Sequence, residues 1–177
     1  MTKRLVLFLA VILVTAFSMA DEGDLSAVSS LKVDLDAVVE LGDVKPVDGV
    51  TVAGQPNEAA LKVFAEKGYA AVIDLRTASE DRGLDEPALI EALGMDYVSF
   101  PIGRDGITTA NAIVLGRLIQ AYDEPVLVHC ASSNRVGALF ALNEYLETDD
   151  AEKALEVGRA AGLTRLEPTV KEVMGVD

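Results

Sequence analysis

The stretch "VLVHCASSNRVGAL", residues 126–139, holds the only histidine and the only cysteine of a 177-residue chain. An apolar run stops at His129–Cys130, four small or polar residues follow, and Arg135 opens a helical pattern. A thiol at the end of a strand, just before a helix N-terminus, lies where free backbone N–H groups and the helix dipole favour an anion. The same field favours the thiolate, which is the nucleophilic form of cysteine. Ala131, Ser132, Ser133 and Asn134 can present N–H donors to a bound oxyanion. Arg135 adds a planar cation whose fork can hold two oxygens of a tetraoxoanion. Nucleophile, donor cradle and bidentate arginine together are the parts needed to attack phosphorus. A cysteine buried for packing alone explains none of this polar company.

One cysteine forms no internal disulfide, and with one histidine it cannot complete a Cys/His zinc site. No metal and no cofactor are expected. His129 is adjacent to Cys130 on a strand, so the two side chains point to opposite faces. His129 is therefore not placed to act as base toward the sulfur. Two readings stay open: it steadies the loop through hydrogen bonds from behind, or it is a core histidine with its needs met.

The elements that must position this loop alternate between two periods. Residues 49–53 read as a strand, closed by Gly54-Gln55-Pro56. Asn57 can cap a helix with Leu61, Phe64 and Ala65 on one face and a Glu58–Lys62 pair on another, ended by Gly68. "YAAVIDLR", 69–76, is a continuous apolar run suited to a strand covered on both faces. A polar loop, a short helix from Glu86 to Leu93, and the strand "MDYVSFPI" follow. Arg104-Asp105-Gly106 forms a loop tip. Thr108 can cap a helix with Val114, Leu115, Leu118 and Tyr122 as its apolar stripe. After the strand "VLVHC" come helices over 135–147, 150–161 and 167–174, with Pro168 at a helix start. Strands and helices in this order predict an α/β fold with a mainly parallel central sheet flanked by helices. Ligands bind beyond the carboxyl ends of the strands in such sheets, which is where Cys130 stands.

Bulk composition sets the remaining bounds. Half the residues are hydrophobic and none is tryptophan, so the core is built mainly from aliphatic side chains. The formal charge of −14 excludes nucleic acid and anionic membrane surfaces as partners, and leaves an anionic substrate only a focused local site. Lys3 and Arg4 precede an apolar run from Leu5 to Phe17, then Ser18-Met19-Ala20. The run is shorter than the ~20 residues of a membrane span. It reads as a signal peptide over residues 1–20, cleaved after Ala20, with a periplasmic or secreted mature protein and no membrane association after cleavage. Residues 21–177 then form a single domain, in which 21–48 are weakly patterned and Asp24–Leu41 suits a short helix or an N-terminal arm.

"VLVHCASSNRVGAL" resembles the signature of the cysteine-based protein tyrosine and dual-specificity phosphatases. Four residues separate Cys130 from Arg135, against five in the common form of that signature. The shorter loop is similar to a bacterial branch, the DUF442 or beta-lactamase-hydrolase-like phosphatase domains. "TVAGQPNEAALKVFAEKGYAAVIDLRTASE" and "ALEVGRAAGLTRLEP" also resemble segments of that branch. The resemblance implies a phosphatase that takes a phosphorylated small molecule or protein. Cys130 would form a phosphocysteine, Arg135 would bind the phosphoryl oxygens, and the general acid would come from the loop holding Asp105, with Asp81 and Glu80 in reserve. Arg76 and Glu80 would lie near the site or form a salt bridge beneath it, and Gln55 would line the rim or close a turn. Val136 replaces the Ser or Thr usual after the arginine, and Ser133 stands where glycine is frequent. The short loop is also similar to that of rhodanese-type sulfurtransferases, which keeps sulfur or persulfide transfer by Cys130 as an alternative. Val136 and Ser133 motivate a further one, a catalytically weak module that binds oxyanions or phosphoproteins.

Overall fold

A computed structural model describes residues 44–47 and 50–177. The expected signal peptide and the Asp24–Leu41 segment lie outside the described residues. The chain runs β1 (Val44–Val47), β2 (Val50–Ala53), α1 (Glu58–Glu66), β3 (Ala71–Asp74), α2 (Glu86–Ala92), β4 (Asp96–Ser99), a 3-10 turn (Arg104–Gly106), α3 (Thr109–Gln120), β5 (Val126–His129), α4 (Asn134–Thr148), α5 (Ala151–Ala160) and α6 (Glu167–Met174). The strands form one sheet in the order β1-β2-β5-β3-β4. β2, β5, β3 and β4 are parallel, and β1 is antiparallel to β2. The fold is thus the α/β architecture expected from the alternation of periods, with one added edge strand.

Side-chain alternation divides the core into two layers. Val52, Ile73, Val126, Val128 and Cys130 pack toward α3, α4, α5 and α6. Ala53, Val72 and Leu127 pack toward α1 and α2. β3 and β5, two of the three inner strands, are buried along their whole length, which is why their sequences are uninterruptedly apolar before Asp74 and His129.

Local signals place the helices. Asn57 accepts from the Ala60 amide at 2.8 Å and Thr108 Oγ1 from Asn111 N at 3.2 Å, so both expected caps form. Glu58 and Lys62 pair at 2.7 Å. The apolar stripe of α3 differs from expectation. Its buried side is Ala112, Leu115, Gly116 and Ile119, while Val114 is exposed. Small residues carry half of that face because α3 packs closely on α4, and a count restricted to large apolar side chains rotates the face away from them.

Candidate active site

The parallel strands end along one edge of the sheet, and Cys130 stands at the centre of it, at the end of β5. Its sulfur belongs to the core layer beneath α4, and the residue is only 1% exposed. The Cys130 amide donates to the Ala53 carbonyl at 3.4 Å, and Gly54 bridges Ser132, so the end of β2 forms one wall of the loop.

Two loop side chains turn away from the site. Ser133 adopts the left-handed conformation, φ 60°, and its Oγ donates to the Ala161 carbonyl at 2.7 Å. Asn134 Oδ1 accepts from the Thr164 amide at 2.8 Å and from Thr164 Oγ1 at 3.2 Å. Serine here therefore occupies a positive-φ position, and its hydroxyl is engaged. Val136 is fully buried in the core and offers no hydroxyl either. With these side chains committed to the fold, the loop offers an anion its backbone N–H groups, Arg135 and the exposed Ser132. The link between α5 and α6 comes close because of glycines. A Cβ on Gly137 would lie 2.5 Å from the Gly158 carbonyl oxygen, and one on Gly162 would lie 2.6 Å from Ser133 Cβ.

Arg135 is the most heavily braced side chain of the site. Its Nη1 and Nη2 donate to the two carboxylate oxygens of Glu80 at 2.7 and 2.6 Å. Nη1 also donates to the carbonyls of Ile102 at 3.0 Å and Leu75 at 3.3 Å. A guanidinium carries five N–H donors in two forks. Glu80 takes the end-on fork and the carbonyls take the outer Nη1 hydrogen. The parallel Nε–H and second Nη2–H are left, which is the edge suited to a bidentate oxyanion. The Glu80 hydrogen bonds, together with the charge of the nearby Cys130 sulfur, raise the Arg135 pKa further despite its burial. In return the Arg135 bonds hold Glu80 down to about 2 against the opposing effect of burial, with help from the Thr77 amide. Glu80 is accordingly ionised near neutrality and has no proton to give, which removes it from the reserve of acids.

Arg76 and Glu80 are expected together, near the site or in a salt bridge beneath it. The structure separates them onto different partners. Arg76 is fully buried and donates through Nε and Nη2 to Asp74, each at 2.9 Å, and through Nη2 to Glu86. Tyr97 Oη donates to Asp74 at 2.8 Å, and Arg82 Nε reaches the same carboxylate at 3.3 Å. Burial opposes ionisation of Asp74, but Arg76, His129 and Tyr97 outweigh it and hold the carboxyl well below the usual range. His129 lies across from Asp74 in the β3–β5 register and faces this cluster. Its Nε2 is 2.7 Å from Glu86 Oε1, yet neither ring nitrogen has hydrogen-bond geometry with a partner. The short distance is thus a close approach of polar groups off the N–H axis. The expected hydrogen bonds from His129 to the loop are not made, because the ring lies on the far side of the sheet from the sulfur. Asp74, Glu86 and His129 bring three ligand atoms within 4.8 Å of one another. The Arg76 guanidinium already bonds both carboxylates, so a divalent cation there would meet a fixed positive charge.

An open cleft of about 420 Å³ lies over Arg135, lined among others by Glu80, Arg104, Ile107 and Arg165. Asp105 stands on the 3-10 turn beside Arg104. It is exposed and does not itself line the cleft. Gln55 donates to the Arg82 carbonyl and so ties the end of β2 to the loop after β3. Asp74, Glu86 and Tyr97 were missed by sequence reasoning. Their signal is faint: an acid ending an apolar run, and another at the start of a helix where acids are commonplace.

The central strand of the parallel sheet ends in a Cys-x4-Arg loop whose arginine is clamped by the Glu80 carboxylate, and the fold is similar to that of the protein tyrosine phosphatases. The chain is thus an α/β protein with a phosphatase-like fold. It belongs to the family described as beta-lactamase hydrolase-like protein, phosphatase-like domain (DUF442), which matches residues 44–147. It is 34% identical over 102 residues to a beta-lactamase hydrolase-like protein of Xylella fastidiosa, and 29% over 102 residues to one of Agrobacterium fabrum. Those matches cover 55% of this chain and 24% of each relative, so the likeness spans about a quarter of the curated relatives' length. Among solved structures, the fold is similar to a DUF442 protein of Shewanella putrefaciens, with TM-score 0.58 and 18% identity over 81% of this chain and 94% of that one. It is also similar to P. aeruginosa TpbA in complex with pTyr, with TM-score 0.57 and 20% identity over 72% of this chain and 80% of that one.

Proposed function

We propose that the chain is an exported, cysteine-dependent phosphatase of phosphomonoesters of the phosphotyrosine or phosphoserine type. The observation that carries the reading is the Arg135 guanidinium, fixed by Glu80 with one donor edge left over, beside the Cys130 sulfur. In the first step the Cys130 thiolate attacks phosphorus. An S–P bond forms, the bond from phosphorus to the leaving oxygen breaks, and Asp105, carried at the rim by the turn whose Gly103 and Arg104 line the cleft, gives that oxygen its proton. In the second, water attacks phosphorus, the S–P bond breaks, and the water proton returns to Asp105 as phosphate leaves. Loop N–H groups from Ala131 to Arg135 and the free Arg135 edge hold the equatorial oxygens through both steps. Val136 supplies no hydroxyl to the departing thiolate and Ser133 is engaged by Ala161, so either Ser132 steadies that thiolate or the second step is the slower one.

The purified full chain should release phosphate from an aryl phosphate, with or without chelator, and Cys130→Ser should abolish the release. Thiosulfate-to-cyanide transfer that far outpaces phosphate release would overturn the reading in favour of a sulfurtransferase. Asp105→Asn should slow a phosphotyrosine peptide far more than an activated nitrophenyl ester, and an equal small effect on both would remove Asp105 from the mechanism. Export is supported by the pattern of residues 1–20. It predicts a mature N-terminus at Asp21 in the periplasmic or secreted fraction; a cytoplasmic protein that retains Met1 would contradict it.

A further inference from the structure

The chain carries far more acid than base, with 29 Asp and Glu against 15 Lys and Arg. In such a chain a surface arginine has many possible partners. Most of the described arginines take one: Arg76, Arg82, Arg135 and Arg159 are all in ion pairs. Arg104 and Arg165 are not, and neither has any other interaction of its side chain with described residues. Both line the cleft over the Cys130–Arg135 loop, from separate segments: the turn after β4 and the connection between α5 and α6. The only acid lining that cleft is Glu80, and its charge is taken up by Arg135. A strongly acidic molecule thus keeps two uncompensated guanidinium groups at the mouth of its one proposed anion-binding site. Field lines focus in such a cleft, so the local potential there is set by these groups rather than by the net charge.

We infer that Arg104 and Arg165 form a subsite for a second phosphoryl group, and that the substrate is a bisphosphorylated molecule with one phosphate in the Cys130–Arg135 loop and the other at the rim. This rests on the phosphatase reading above for the first phosphate. Two planar cations from separate segments suit a dianion, because each can offer a fork to different oxygens. The cleft volume lies in the range of small-molecule sites.

The test compares phenyl phosphate with phenylene 1,3-bisphosphate, which share a phenolic leaving group. The wild-type chain should show kcat/KM about tenfold or more in favour of the bisphosphate, as a charge-assisted contact would give. Arg104→Ala with Arg165→Ala should remove that preference, chiefly through KM, while phenyl phosphate turnover changes less than about twofold. Arg117→Ala is the control for net charge: Arg117 is likewise exposed and unpaired, but lies on α3 away from the cleft, and its loss should leave the preference intact. No preference in the wild type, equal loss on both substrates, or an equal effect of Arg117→Ala would each overturn the subsite. Calorimetric binding to Cys130→Ser separates this from the activity. Tighter binding of the bisphosphate than of phenyl phosphate, lost in the Arg104/Arg165 variant, upholds the subsite even if the wild type turns over neither.

Discussion

Arg135 shows how a charged side chain is made into a tool. An arginine free on its stem has rotamer freedom to lose on binding, whereas Glu80 and two carbonyls remove that freedom in advance. Arg135→Lys should therefore lower kcat/KM on aryl phosphates by about a hundredfold or more, since a point cation cannot replace a fork held on both edges. Glu80→Gln keeps the shape but loses the charge, and should cost less, mainly in kcat. Steady-state kinetics on both variants would show the order; a Lys variant with near-normal kcat/KM would contradict it. Ser133 poses a second question at this scale. Its left-handed backbone costs about 1 kcal/mol for a non-glycine residue, and its bond to Ala161 returns about 1 kcal/mol. Ser133→Gly should be close to neutral in thermal stability. Ser133→Ala keeps the backbone cost and loses the bond, so it should melt lower than the glycine variant. The reverse order would refute the balance. The chemistry-bearing residues of the loop were legible because Cys, Arg and their spacing are rare together. The partners are less so: Glu80 is placed near the site by the sequence but not paired with Arg135, and Asp74 and Glu86 are ordinary acids until the chain is folded.

Elements decide whether those residues meet. The strands are readable from apolar runs, although three of the runs extend beyond the regular ladder. Leu75 N–H reaches the His129 carbonyl at 2.9 Å and Ile102 N–H reaches the Leu75 carbonyl at 2.9 Å, so ladder-like bonding continues past the regular strands. β1 escaped notice: it is short, contains Lys45 and Pro46, and lies at the sheet edge, where such residues are tolerated. Asp48-Gly49 between Val47 and Val50 was the available cue for a hairpin. The close seating of α4 against the α5–α6 connection is invisible to periodicity. It depends on glycines that permit backbone-to-backbone approach. Gly137→Ala would push a methyl group into the Leu163 amide and the Gly158 carbonyl. Those are backbone atoms that cannot rotate aside, so the variant should lose about 3 kcal/mol or more and shift Arg135, which is one residue inside the same helix. An unchanged melting temperature would show that the helices part at little cost.

At the scale of the whole molecule, buried charge couples the fold to pH. Glu80 titrates near 4.5 when unpaired and at about 2 when held by Arg135. Its folded value is depressed, so its stabilisation is complete above about 4.5 and is lost as pH falls toward 2. The difference in stability between wild type and Glu80→Gln should be constant from neutrality to about pH 5 and vanish near pH 2, as read by denaturant titration. A difference that persists at pH 2 would place the origin outside this ion pair. The Asp74–Arg76–Glu86–His129 cluster makes a separate contribution on the opposite face of the sheet. Removing one member leaves buried charge unpaired, and Glu86→Ala should cost about 3–5 kcal/mol without entering the cleft. An acidic molecule with a cationic cleft then presents an attractive region to an anion at the Cys130–Arg135 loop.

The proposed chemistry passes through a covalent bond between phosphorus and the Cys130 sulfur. Acid quenching of the wild-type chain during turnover of an aryl phosphate, followed by peptide mass analysis, reads that bond. The expected result is one phosphoryl increment on the peptide containing Cys130, absent from Cys130→Ser and formed no more slowly than steady-state turnover. Phosphate release with no such adduct, or continued release by Cys130→Ser, would show that Cys130 is not the nucleophile.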